Sequence, residues 1–194
     1  MFTLIGCQTS GPLKYNNIQR GSWTTRILVR DKKKNKSFIV NVDLKAESSG
    51  NLRMDATSSF GQHLASLVIL NEGMSYIVVP QKKYYQGKLE SSALKRAIGV
   101  SLDPKLLFNL IFEQAPQTKD WSCAKDKKGY LVDCRNLKDK TVIVWKNRDA
   151  SRKLVTVEHP RASIQLNFAN FDPEFKPTEK TFALKVPPSF KRIR

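Results

Sequence analysis

Imidazole and thiol chemistry have little to work with in this chain, which holds two histidines and three cysteines among 194 residues. Their spacing offers none of the paired ligands that hold zinc. His63 and His159 have no evident nucleophile or carboxylate beside them, so no acid–base pair can be named and an enzyme is not expected. No glycine-rich phosphate loop occurs, which removes nucleotide hydrolysis as a driving force. No apolar run approaches the roughly 18 residues of a membrane helix. Acidic residues are also few, 17 against 34 lysines and arginines, for a formal net charge of +17. That balance implies an acidic partner: nucleic acid, anionic membrane or acidic protein. The basic residues are spread through turns such as Lys32 to Lys36 and Lys127–Lys128, without an aromatic–glycine signature, which speaks against a nucleic-acid surface. At 40% hydrophobic residues the chain is globular, and its length fits a single domain.

What is present is a series of short strands. Leu52, Met54 and Ala56 alternate with Arg53, Asp55 and Thr57, the period of a half-buried strand. A Ser58-Ser59-Phe60-Gly61 turn leads into His63 to Leu70, apolar on both parities, then a Gly73 turn, a strand through Val79, and the Tyr84–Tyr85 strand. Upstream, Trp23, Ile27 and Val29 share one run, and Phe38, Val40, Val42 and Leu44 alternate with polar residues in the next. Downstream, strands are expected at Lys140 to Trp145, Lys153 to Glu158, Ala162 to Phe168 and Thr181 to Val186. About ten or eleven strands with regular turn signals describe a barrel or sandwich.

Two helices interrupt this pattern. Leu94, Ala97 and Ile98 form a narrow stripe that Gly99 should end. Asp103 then caps a second helix with Pro104 in its first position. Its body, Leu106-Leu107-Phe108-Asn109-Leu110-Ile111-Phe112, is apolar nearly all round and is expected to be covered on more than one side. It either plugs one end of the barrel or roofs a greasy pocket. If a hairpin turns about Lys128–Gly129, Cys123 falls opposite Cys134, close enough for a disulfide; the alternative is two reduced, buried thiols. A disulfide would place the chain in an oxidising compartment such as the periplasm.

The N-terminus reads separately. Leu4-Ile5-Gly6-Cys7 has the form of a lipobox, in which cleavage before the cysteine accompanies acylation of its sulfur. Met1-Phe2-Thr3 supplies no basic leader, so the chain is expected to begin inside a signal peptide. Residues 1–7 are then its remnant, residues 8–20 a flexible tether, and residues 21–190 one barrel-plus-lid domain.

The segment from Met54 to Pro116 resembles the LolB family of bacterial outer-membrane lipoprotein receptors. Ser59-Phe60-Gly61-Gln62, Leu64-Ala65-Ser66-Leu67, Tyr84-Tyr85-Gln86-Gly87 and the helix pair around Gly99 and Leu102 through Pro116 carry the likeness; Lys140 to Phe168 follow it in strand order only. The resemblance implies an incomplete antiparallel barrel with a short helical lid, enclosing a hydrophobic cavity for the acyl chains of other lipoproteins. It implies an outer-membrane protein, anchored at Cys7 and facing the periplasm, that receives cargo from a LolA-like carrier, with no cofactor. It also implies an exposed apolar residue on a protruding turn that engages the membrane; Phe60 stands where the family has leucine, unless it folds back onto the rim, and the many lysines suit an anionic surface. Candidate cavity residues are Phe38, Val40, Val42, Met54, Leu67, Ile69, Leu94, Leu106, Leu110, Ile111, Trp145 and Leu166, any of which is otherwise packed core. A monomer is expected. The rival readings are an envelope lipoprotein of the same fold that binds another lipid or serves as a scaffold, and, less favoured, a basic nucleic-acid-binding module.

Overall fold

Twelve strands form one curled sheet in the computed structural model, which describes residues 12–98 and 103–193. A 3₁₀ turn, Tyr15–Asn17, precedes β1 (Arg20–Asp31) and β2 (Lys36–Glu47). The meander continues through β3 (Asn51–Thr57), β4 (His63–Leu70), β5 (Gly73–Val78) and β6 (Lys83–Lys88). Two helices follow, α1 (Ser91–Ile98) and α2 (Lys105–Phe112). The chain then forms β7 (Trp121–Lys125), β8 (Leu131–Asn136), β9 (Val142–Lys146), β10 (Lys153–His159), β11 (Ala162–Asp172) and the short β12 (Lys191–Arg192). The order is β12-β6-β5-β4-β3-β2-β1-β11-β10-β9-β8-β7, antiparallel throughout except where β12 joins β6. The edge strands β7 and β12 lie at opposite ends of that order, so the barrel is unclosed.

Alternation decides the inner face. In β1, Trp23, Thr25, Ile27 and Val29 are buried while Thr24, Arg26 and Arg30 are exposed. Register carries those positions across the sheet: Val40, Ile27, Leu166, Val155 and Trp145 form one row, and Phe38, Val29, Ile164, Val157, Ile143, Cys134 and Cys123 the next. Each same-face neighbour pair adds roughly 0.2–1 kcal/mol. Near the start of β1, Trp23 stacks on Phe171 with ring centroids 4.9 Å apart and meets Phe112 of α2 edge-on at 6.1 Å. Gly21 makes that stack possible, because a Cβ there would run into the Phe171 ring.

The antiparallel register gives the barrel two distinct ends. The upper end carries the β1–β2, β3–β4, β5–β6, β8–β9 and β10–β11 turns; the lower end carries the β2–β3, β4–β5, β7–β8 and β9–β10 turns. Helix α2 starts at the upper end, where Lys105 N donates to the Asp103 carboxylate at 2.9 Å, and runs down inside the sheet. The helix begins one residue later than the sequence suggests, with Pro104 in the capping position. Leu106, Leu107, Leu110, Ile111 and Phe112 are all buried, so its all-round apolarity reflects enclosure on several sides. The expected stop of α1 at Gly99 lies outside the described residues, as do the side chains of Ala97 and Ile98.

Two expectations need correction. Thr181 to Val186 is not a strand but irregular chain laid against the outer face of β3: Arg53 Nη1 donates to the carbonyls of Thr181 (3.2 Å) and Ala183 (2.9 Å), and Phe182 is buried. Its apolar residues alternate, but they cover a sheet rather than join it. Residues 12–20 are not a loose tether. Tyr15 is fully buried, Leu13 and Ile18 pack against the core, and the Tyr130 hydroxyl donates to Pro12 O at 2.6 Å. Polar composition hid the three apolar anchors. The sheet's twelve strands, one of them the two-residue β12, agree with the expectation of about ten or eleven.

Candidate functional site

A cavity of about 500 Å³ lies between the outer side of α2 and the inner face of β8 to β11. Its floor is apolar: Leu106 and Phe108 from the helix, and Val157, Ala162 and Ile164 from the sheet. Trp121 and Pro116 close one flank. The mouth is polar, with Asp103, Gln117, Thr118, Asp139 and His159 around the upper end. A void of this size falls within the usual range for ligand pockets, about 300–1,000 Å³.

Of the twelve residues expected to line a cavity, Leu106 is the one that lines this space. Val42, Ile69, Leu94, Leu110, Ile111, Trp145 and Leu166 are buried in packed core, and Val40, Met54 and Leu67 are half-buried against it. Phe38 is on the inner parity but 47% exposed, because β2 runs five residues beyond its pairing with β3. Strand parity finds the inner face correctly. It does not show that α2 fills most of the space that face surrounds.

The lower end of α2 is locked by charge. Glu113 takes a left-handed conformation (φ 50°, ψ 47°) that ends the helix and turns its carboxylate inward. Arg148 Nε donates to Glu113 Oε2 at 2.8 Å, and Lys153 Nζ stands 3.6 Å from Oε1. Lys153 also donates to Ile111 O and sits 3.9 Å from the centroid of the Tyr15 ring, with Phe168 at 5.0 Å. The Arg148 guanidinium reaches Leu131 O as well. Burial pushes the Lys153 amine down to about 7, although the Glu113 charge opposes that shift. Burial likewise raises the Tyr15 hydroxyl, helped by the Glu113 and Asp149 charges. Thus the N-terminal segment, the end of α2 and the start of β10 are joined through one buried amine. The sequence did carry a signal for it, since Lys153 occupies the parity of Val155 and Val157, where a lysine has no ordinary reason to be.

At the upper end, Phe60 is 98% exposed. Its turn is fixed rather than loose: Ser58 Oγ accepts from the backbone N–H of Phe60 (3.3 Å) and Gln62 (3.1 Å), and Ser58 N donates to Gln62 O at 2.8 Å. Gly61 closes it at φ +78°, a conformation that disfavours any side chain there. The ring therefore points into solvent on a rigid support. Cys123 and Cys134 are joined by a disulfide between β7 and β8. Cys7 lies outside the described residues.

His63 has a neighbourhood that its sequence position did not reveal. Its Nε2 lies 2.9 Å from Ser66 Oγ, and Ser66 in turn donates to Asp55 Oδ1. Burial alone would raise the Asp55 carboxyl, but hydrogen bonds from Arg53 and Ser66 outweigh it and hold the group below the usual carboxylate range. The order is wrong for nucleophile activation, where the carboxylate orients the imidazole. Here the carboxylate binds the hydroxyl directly, and Ser66 is buried. Among the described residues no group of histidines, cysteines and carboxylates is arranged to hold a metal ion.

No protein-family profile and no curated protein sequence matches this chain. Solved structures do match. A DUF1329 family protein from Desulfovibrio piger superposes with a TM-score of 0.55 at 9% identity, covering 87% of this chain and 91% of its own. A LolA superfamily protein from Nitrosomonas europaea gives 0.51 at 9% identity, covering 88% and 94%. At that identity the likeness is one of fold: a mainly β, unclosed LolA-like barrel with short helices.

Proposed function

We propose that this chain is a lipoprotein-binding receptor, which takes the acyl chain of a lipoprotein from a periplasmic LolA-like carrier and passes it into the outer membrane. One observation carries the reading above the others: an apolar-floored cavity opens at the same end of the barrel as the exposed Phe60 ring. At about 30 Å³ per water-sized group, 500 Å³ accommodates about sixteen methylene-sized groups, the length of one acyl chain. Each buried methylene contributes about 0.8 kcal/mol, so a full chain gives on the order of 10 kcal/mol before ordering costs. Transfer along such a route needs no catalytic step, only a downhill series of affinities in which about 1.4 kcal/mol shifts each equilibrium tenfold. The LolA-like fold supports the same reading.

The lipid anchor belongs to the proposal as well. Cys7 precedes Pro12 by five residues, and five residues reach at most about 17 Å. Pro12 is held at the lower end, beside Tyr130. The described chain thus begins at the end of the barrel opposite the Phe60 turn, so an anchored barrel would lie along the bilayer surface, or release residues 12–18 from the core, to bring that ring to the membrane.

Phe60→Glu tests the assignment of roles. The variant should bind a fluorescent fatty-acyl probe as the parent does, yet fail to deliver an acylated peptide into liposomes. Equal loss of both steps would remove Phe60 from membrane contact, and no saturable probe binding by the parent would remove the cargo site.

A further inference from the structure

The upper end is chemically unlike the rest of the surface. Six large hydrophobic residues are exposed among the described residues, and four of them are there: Phe38 (47%), Ile39 (39%), Phe60 (98%) and Leu137 (76%). Phe38 and Ile39 point to opposite faces of the β1–β2 ribbon where it overhangs β3, so both faces of the ribbon are apolar. Leu137 crowns the β8–β9 turn between Asn136 and Lys138.

Positive charge is gathered on these same turns. The β1–β2 tip holds Lys32, Lys33, Lys34 and Lys36; the β5–β6 turn and the first residue of β6 add Lys82 and Lys83. Lys138, Lys140 and Arg161 extend the ring across the β8–β9 and β10–β11 turns. Five acids, Asp31, Asp103, Asp120, Asp139 and Glu158, offset only part of this charge. Asp31 accepts from the N–H groups of Lys33 and Lys34, Glu158 pairs with Lys32 at 2.8 Å, and Asp139 accepts from Thr141 N. At the lower end the signs mix: Glu72, Asp126 and Asp149 stand among Lys127, Lys128 and Arg152. The excess charge is therefore directional rather than spread evenly.

We infer that the upper end is a docking surface for anionic phospholipid bilayers, with the basic turns on the lipid phosphates and Leu137, together with the Phe38–Ile39 ribbon, entering the acyl boundary beside Phe60. The location rests on the membrane role given to Phe60 above, but the docking itself needs no cargo. Charge complementarity selects this occupant: each lysine or arginine near an anionic leaflet is worth about fivefold in affinity, and the exposed apolar tips add burial in the acyl boundary. The two components also reinforce each other, since one weak anchor alone binds a membrane only marginally. The cavity mouth at Asp139 and His159 opens within the same ring, which would bring a bound chain to the bilayer on docking.

Co-sedimentation of the full chain with phosphatidylcholine vesicles, with and without phosphatidylglycerol, tests this. Binding should be at least tenfold tighter to the anionic vesicles and should weaken as salt screens the charges. Lys33→Glu with Lys34→Glu should lower it more than tenfold, and Leu137→Asp should lower binding that survives at high salt. The control is Lys127→Glu with Lys128→Glu, which changes the net charge identically at the lower end and should leave binding within twofold. Equal losses from the two charge-reversal pairs, equal binding to both vesicle types, or no vesicle binding at all would each overturn the inference. Fatty-acyl probe binding, measured on the same proteins, should be unchanged, so failure of docking is separable from failure of cargo binding.

Discussion

Replacing Lys153 with methionine removes a cation from a site with no solvent, while keeping an unbranched chain of similar length against Tyr15 and Phe168. In the folded chain the amine titrates near 7; in the unfolded chain it returns to its ordinary 10.5. Between those values the unfolded state holds a proton that the folded state has lost. Stability must therefore rise with pH across this window, at up to about 1.4 kcal/mol per pH unit. Below about 7 both states are protonated and the slope from this group vanishes, which leaves the full burial cost in place. Lys153→Met deletes the slope. The Glu113–Arg148 contact at 2.8 Å remains as the carboxylate's counter-charge, so the variant should still fold. Urea unfolding of parent and variant at several pH values between about 7 and 10 reads the effect as a difference in slope, insensitive to the absolute stability of either. Parallel curves would refute the reasoning, because they would mean that the amine keeps its proton inside the barrel.

Other perturbations separate parts of the account. Val157→Trp should extend an indole into the cavity, abolishing fatty-acyl probe binding while costing no more than the roughly 1–3 kcal/mol of ordinary overpacking; undiminished binding would place the acyl chain elsewhere. Gly21→Ala should lower stability by about 1–3 kcal/mol by pushing Phe171 off Trp23, read as a shift of the urea midpoint at constant m-value. Replacing Cys123 and Cys134 by serine opens a short loop, with an expected loss of about 3 kcal/mol, and a denaturant midpoint indifferent to reductant in the parent would contradict that. Neither the glycine nor the cysteine changes should alter probe affinity in the folded protein.

Much of the architecture could be read from alternation. The register of β2 to β5 follows the Val42–Leu44, Met54–Ala56 and Leu67–Ile69 parities, and the turn at Phe60 was marked by Ser58, Ser59 and Gly61. The Asp103–Pro104 helix start was visible for the same local reason, since capping is a property of a few adjacent residues. The site was less legible because it depends on distant parts of the chain. A cavity exists where two surfaces fail to fill the space between them, and nothing in the spacing of Val157, Ile164 or Phe108 says which positions α2 will cover. Thr181 to Val186 shows the complementary limit. An alternating segment lying across a sheet buries every second residue just as a strand does, and only the hydrogen bonds from Arg53 distinguish the two. The upper-end charge was present in the composition, but its direction emerged only when the turns were sorted by register.

The most direct measurement is photo-crosslinking with a peptide whose acyl chain carries a diazirine, followed by mass-spectrometric mapping of the labelled residues. Insertion at Phe108, Val157, Ala162 or Ile164, competed away by unlabelled acylated peptide, is the result expected of a chain held beneath α2. Labelling confined to the outer face of the sheet, or insensitive to the competitor, would contradict it.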